Sequence, residues 1–164
     1  MRLALWAALA AWLLVLDDAP ARAQEGEEPV APYVQSDANA GATPIDDPAV
    51  LAAFNGRDGI NRIVDRTVDL SLEDPQLGPI FQPFDMVRLR RTLKEQFCYL
   101  LGGGCTYTGR DMSASHADMG VQTRDFNLLV QHLRTAMREE GVSNRMQNRF
   151  LAVLAPMHRD VVQR

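Results

Sequence analysis

Residues 102–120 read GGGCTYTGRDMSASHADMG. The glycines at the head of this stretch end any long helix that reaches them, because they favour left-handed backbone and leave the chain poorly ordered for helix. Between Asp111 and His116 there is room for only one or two helical turns before Gly120 allows a bend. One imidazole held on so short a segment can ligate an iron. A lone histidine is more commonly structural, so His116 needs support from the rest of the chain. The other two histidines carry less promise: His132 sits within the helical run FNLLVQHLRTAM and reads as structural, and His158, beside Arg159 and Asp160, reads as a surface residue.

Outward from this stretch the apolar spacing is helical almost throughout. Met86, Leu89, Leu93, Phe97 and Leu100 recur at intervals of three and four, which predicts a helix with one continuous apolar stripe, capped by Asp85 and ended by Gly102. The stripe could face a core or a flat cofactor; periodicity does not separate these. Further upstream, a short helix is predicted over Ala49 to Phe54, ending at Asn55-Gly56. Asp58 then caps a second helix bearing Ile60, Ile63, Val64 and Val68 on one face, and Pro75 closes it. Leu77, Ile80 and Phe81 form an apolar corner. Downstream, Thr123 caps a helix with Phe126, Leu129, Val130, Leu133 and Met137 that ends at Gly141. Ser143 caps a last helix, with Met146, Phe150, Val153, Leu154, Met157 and Val161, which Pro156 bends. No run of alternating Val, Ile or Thr suggests a strand, so the expectation is an all-α domain over residues 47–164.

Composition bounds the rest. With 46% hydrophobic residues and a net charge of −4, the 164-residue chain suits one globular domain with an excess at the front. Residues 3–16, LALWAALAAWLLVL, follow Arg2 and precede Ala21-Arg22-Ala23, the pattern of a signal peptide over residues 1–23 that is cleaved after Ala23. A retained anchor is the alternative, but the run falls short of the roughly 18 to 20 apolar residues of a spanning helix. Secretion, with a periplasmic destination, is therefore expected, and the membrane enters only through export. Residues 24–46, rich in Glu, Pro, Gly, Ala and Asp, read as a disordered linker. Export would expose Cys98 and Cys105 to an oxidising compartment, where they could pair; the alternative is a buried Cys98 and a free thiol at Cys105. No Cys-x-x-Cys-His occurs, so nothing supports covalent haem attachment of the c type. No concentrated basic stripe of the kind a nucleic-acid partner requires is present; Arg88, Arg90 and Arg91 read as a solvated helix face.

Several spaced features together resemble the group I truncated haemoglobins: Asn55-Gly56-Arg57-Asp58-Gly59-Ile60, Asp74-Pro75-Gln76-Leu77, Phe81, Asp85-Met86-x-x-Leu89, Leu101-Gly102-Gly103, Tyr107-Thr108-Gly109-Arg110-Asp111-Met112, His116, Phe126, His132-Leu133 and Ala155-Pro156. The resemblance runs from about Asn55 to Met157. It implies a truncated globin, a two-over-two helical sandwich with a short first helix and a loosened proximal loop, holding haem b. His116 matches the proximal iron ligand, Phe81 the phenylalanine stacked on the porphyrin, Tyr107 and Met112 residues around the proximal segment, and Leu89 a distal-wall position; Leu93 and Phe97 continue the wall. The basic trio Arg88, Arg90 and Arg91 gains an alternative role in meeting haem propionates.

One departure is informative. Where many members carry a tyrosine in the second helix and a glutamine in the long helix that follows, this chain places Val68 and Leu93. Neither donates a hydrogen bond. Each missing donor costs a polar ligand such as oxygen about 1 to 3 kcal/mol of retention. Thr67, Thr92 and Gln96 lie near enough to compensate, Gln96 first among them. The implied function is reversible binding of oxygen, carbon monoxide and nitric oxide. Nitric oxide dioxygenation, with an unidentified reductase, is compatible with the sequence but not required by it. Two alternatives stay open: a periplasmic haem or gas sensor or carrier module, and a helical interaction domain that has lost haem.

Overall fold

In the computed structural model, which describes residues 24–162, eight α-helices follow one another and no strand forms among these residues. The leader read at residues 1–23 lies outside the described residues. Among them no helix is long and apolar enough to cross a membrane.

Local chemistry sets each boundary. Helix α1 (Pro48–Ala53) starts with proline in its first turn and with the Asp47 carboxylate accepting from the Ala49 N–H at 3.0 Å. Asn55 takes a left-handed φ of 57° and turns the chain directly into α2 (Gly56–Glu73), so the cap lies at Asn55 and not at Asp58. Asp58 instead sits in the first turn, where the helix dipole favours an acid. Asp74 then gathers the N–H groups of Gln76 and Leu77 at 2.8 and 3.0 Å, which turns the chain into the short α3 (Gly78–Phe81). Helix α4 (Met86–Leu100) carries the expected cap: Asp85 accepts from the Arg88 N–H at 3.0 Å.

Gly102 follows α4 with φ of 76°, and a Cβ there would lie 2.7 Å from the Ile45 carbonyl oxygen, so both conformation and contact demand glycine. The segment leading to His116 is as short as its sequence implies: α5 (Met112–His116) is five residues long, with Asp111 accepting from the Ala114 N–H at 2.8 Å. Helix α6 (Thr123–Glu139) is capped one residue earlier than expected, through the Gln122 N–H donating to Asp125 at 2.9 Å. Ser143 occupies the cap position of α7 (Asn144–Leu154) without a side-chain bond. Pro156 converts the expected bend into a 3-10 turn, Ala155–Met157, before α8 (His158–Val161).

Helix α2 packs against α4 and α6, α6 also meets α7 and α8, and α5 lies on α8. The result is a pair, α2 and α4, set against a second group, α6 with α7 and α8. Phe150 of α7, fully buried, locks one end: its ring meets Phe54 edge-on at 5.5 Å and Phe97 at 4.9 Å. Ion pairs seam the surface. Arg62 and Arg66 of α2 hold Glu140 and Glu139 at 2.6 and 2.7 Å, while Arg90 and Lys94 of α4 reach Asp69 and Asp65 at 2.5 and 2.8 Å. Arg90 is therefore engaged with α2 and is not a merely solvated face.

Two features differ from, or go beyond, the sequence reading. Residues 24–46 are not a free tether: they lie along the domain, include a 3-10 turn at Asp37–Ala40, and place Ala40 at 0% exposure and the Ile45 N–H 2.8 Å from the Leu100 carbonyl. The contacts are polar and aperiodic, which is why hydrophobic patterning does not reveal them. Cys98 and Cys105 form a disulfide, with Cα atoms 5.7 Å apart, that ties the last turn of α4 to the loop preceding α5. Closing so short a loop constrains the unfolded chain by about 2 kcal/mol. Replacing both cysteines by serine should lower stability by about that amount in urea unfolding; an unchanged midpoint would show that the bridge contributes nothing.

Candidate functional site

Between α4 and α6 lies a cavity of about 480 Å³. Phe81 at the α3 corner, Leu89, Leu93 and Phe97 from α4, Tyr107 from the loop, and Met112 and His116 from α5 all line it, so the residues read from sequence meet on one void. The sequence places the residues of the opposite wall on one side of a helix without assigning them to the site. There Phe126, Leu129, Val130 and Leu133 of α6 face the cavity, joined by Leu154, Met157 and Val161. Their signal was the amphipathic stripe of α6, which periodicity alone could not direct toward a ligand. Phe81, Leu89, Leu93, Leu129 and Val130 remain only half-buried. Two facing apolar walls left in that condition are an arrangement that a flat apolar guest would complete.

His116 stands at the end of α5, its Nδ1 2.7 Å from the Met112 carbonyl oxygen. A carbonyl only accepts, so Nδ1 carries the proton and Nε2 the lone pair that a metal takes. Burial lowers its pKa below the usual histidine value, which favours the neutral imidazole that ligation requires. The loop before it is held by its own motif: the Tyr107 hydroxyl donates to the Arg110 carbonyl at 2.9 Å. A Cβ at Gly109 would collide with that phenol, which explains the glycine in Tyr-Thr-Gly. Burial pushes the Tyr107 pKa up, keeping it a donor.

The wall away from His116 is chemically closed. Val68 is buried but does not line the cavity; Thr67, one residue earlier, does. The Thr67 hydroxyl donates to the Ile63 carbonyl at 2.7 Å, and the Thr92 hydroxyl lies 3.0 and 3.2 Å from the Arg88 and Leu89 carbonyls. Gln96 lines the cavity too, yet its amide nitrogen donates to the Ala40 carbonyl at 2.9 Å and lies 3.3 Å from the Met112 sulfur. Tyr33, Tyr107 and Ser115, the other described hydroxyls that line the cavity, donate to the carbonyls of Thr108, Arg110 and Arg110. Each hydroxyl described on the cavity thus has a main-chain acceptor for its proton.

Charge gathers at the mouth. Arg88 and Arg110 line the cavity; Arg110 stacks over the Tyr33 ring at 5.1 Å. The Arg88 Nε is buried with no hydrogen-bond partner among the described residues, its nearest carboxylate being Asp85 at 3.5 Å. The other histidines lie off the cavity wall. His132 sits between Ser71 and Asp74, at 3.3 and 3.4 Å, a structural position as read from sequence. His158 is half-buried against Phe126, ring centroids 4.9 Å apart, and is not the plain surface residue that its charged neighbours suggested.

An all-α fold in which α2 and α4 are set against α6, α7 and α8 around an apolar cavity, with one histidine on a short segment, is that of a globin. Residues 50–163 match the family model of bacterial-like globins, and the chain belongs to that family, in the branch of the group 1 truncated haemoglobins. The group 1 truncated hemoglobin GlbN of Mycolicibacterium paratuberculosis is 29% identical over 109 residues, 66% of this chain and 80% of that protein. The corresponding protein of Nostoc commune is 32% identical over 90 residues, 55% of this chain and 76% of its own. The crystal structure of truncated hemoglobin from Tetrahymena pyriformis in the Fe(III) form superposes with a TM-score of 0.67 at 22% identity, covering 70% of this chain and 98% of that one, and so shares the fold.

The family implies haem, and the residues fit it. The cavity offers two apolar walls, a histidine whose Nδ1 is already oriented, and on its lining the Arg88 guanidinium, whose buried Nε has no hydrogen-bond partner among the described residues although Asp85 and Glu27 lie 3.5 Å from the group. His132→Ala should cost about 1 to 2 kcal/mol of stability through the orphaned Ser71 and Asp74 contacts while leaving haem uptake intact. Loss of the haem spectrum in that folded variant would show that His132, too, belongs to the site.

Proposed function

We propose that this protein binds haem b in the cavity with His116 as the proximal iron ligand and reversibly binds diatomic gases there. The observation that carries the reading is His116 on the wall of an apolar cavity with its Nδ1 fixed by the Met112 carbonyl. Bound in this position, haem would supply an iron with a coordination site for oxygen, carbon monoxide or nitric oxide. Phe81 and the α4 and α6 side chains would hold the ring and exclude water, and Arg88 and Arg110 would meet its carboxylates.

Gas preference follows from the closed donors. Thr67, Thr92 and Gln96 keep their protons on carbonyl oxygens or sulfur, so a polar ligand gains little from this wall relative to carbon monoxide or nitric oxide. Nitric oxide dioxygenation draws no specific support from such a wall. An oxidising compartment outside the cytoplasm is supported by the Cys98–Cys105 disulfide and by the apolar leader.

His116→Ala should abolish the Soret band of the purified protein and recover it in part with added imidazole; an unchanged spectrum would refute the ligand assignment. In stopped-flow experiments oxygen should leave roughly five- to two-hundredfold faster than from globins with one more distal donor. Dissociation as slow as in donor-rich globins would reject the closed-wall reading.

A further inference from the structure

Residues 24–46 precede the span matched by the globin family model, yet they touch the cavity: Glu28, Val30 and Tyr33 line it. Their anchors begin and end on α4 and in between hold the loop that leads to His116. On α4, Glu27 is ion-paired with Arg91 and lies 3.5 Å from Arg88, its side chain fully buried, and the Ala40 carbonyl accepts from Gln96. Hydrogen bonding to Arg91 holds the Glu27 carboxyl below its usual pKa. On the loop that leads to His116, the Tyr33 hydroxyl donates to the Thr108 carbonyl at 2.8 Å, Asp37 accepts from the Tyr107 N–H at 2.7 Å, and Arg110 donates to the Ala31 carbonyl at 3.2 Å. One segment therefore bonds both to α4 and to the loop that leads to His116.

We propose that residues 27–40 are a working part of the haem site, a latched strap along the edge formed by α4 and the loop before α5, which contributes Val30 and Tyr33 as haem-facing wall and uses Glu27 as its latch. The inference rests on the haem reading above. A polar, aperiodic segment has little apolar surface of its own to offset the entropy of ordering. A haem edge under Val30 and Tyr33 would supply the missing burial. Linkage then requires reciprocity: haem stabilises the strap as much as the strap retains haem. The strap also braces the approach to His116, since Tyr107 and Thr108 are bonded to it directly.

The test uses the purified haem-loaded protein with Glu27→Ala and Tyr33→Ala, following haem transfer to excess apomyoglobin and hydrogen exchange over residues 27–40. Expected are haem loss about tenfold faster in each variant, protected strap amides in the parent holoprotein, and loss of that protection in Glu27→Ala. Arg62→Ala, which breaks an ion pair between α2 and Glu140 away from the cavity, should leave haem loss unchanged. The proposal is overturned if the strap exchanges freely in the parent holoprotein, or if exchange shows the strap released in Glu27→Ala while haem loss stays within twofold. A parent protein with no Soret band would instead sink the haem reading itself, so the two failures are distinguishable.

Discussion

The hydrogen bond between His116 Nδ1 and the Met112 carbonyl is the constraint on which the rest of the site depends. It fixes tautomer and ring orientation together, but it closes within a helix of five residues, far too short to be stable alone. Its geometry must be imposed from outside. The Asp111 cap starts the turn, the Tyr107 phenol folds the preceding loop onto the Arg110 carbonyl, and the disulfide fastens the loop's other end to α4. Each restraint removes conformational freedom that the glycines introduce, so the loop is loose in composition and held in fact.

Helix α4 joins this proximal apparatus to the rest of the molecule by dividing its faces. Leu89, Leu93 and Phe97 turn to the cavity, whereas Arg90 and Lys94 turn to the acids of α2. Arg91 reaches a third set, Glu27, Glu95 and the Thr108 hydroxyl, so that strap, helix and loop share one guanidinium. Exposed ion pairs contribute little individually. Arg91 differs because its side chain is 10% exposed and the carboxyl side of Glu27 is wholly covered, leaving the pair poorly screened by solvent. Removing Arg91 would leave Glu27 with only the Arg88 guanidinium at 3.5 Å, whereas removing Glu27 would leave Arg91 with Glu95 at 2.8 Å.

What was legible in the sequence was what repeats or punctuates. The stripe of α4, the Asp85 cap and the stop at Gly102 follow from spacing, and the order of Phe81, Tyr107, Met112 and His116 brings those residues to one cavity. The strap was not legible, because Glu27, Tyr33, Asp37 and Ala40 bind through charges, a phenol and a backbone carbonyl with no common period. Phase was the other loss. On α2, a buried face includes both Thr67 and Val68, and a difference of one residue, about 100° around the helix, decides which meets the cavity.

That difference of phase has a chemical consequence. A threonine within a helix has its hydroxyl beside the carbonyl one turn back, and Thr67 and Thr92 both adopt this bond. Such a residue is polar in composition yet contributes little to a ligand beyond its methyl group. A side chain must be longer than threonine to carry a donor past its own helix into the void. Gln96 is long enough, but the strap's Ala40 carbonyl and the Met112 sulfur draw its amide nitrogen. The segment outside the family domain thus helps keep the cavity apolar, and the character of that wall depends on residues that precede the span of the globin family model.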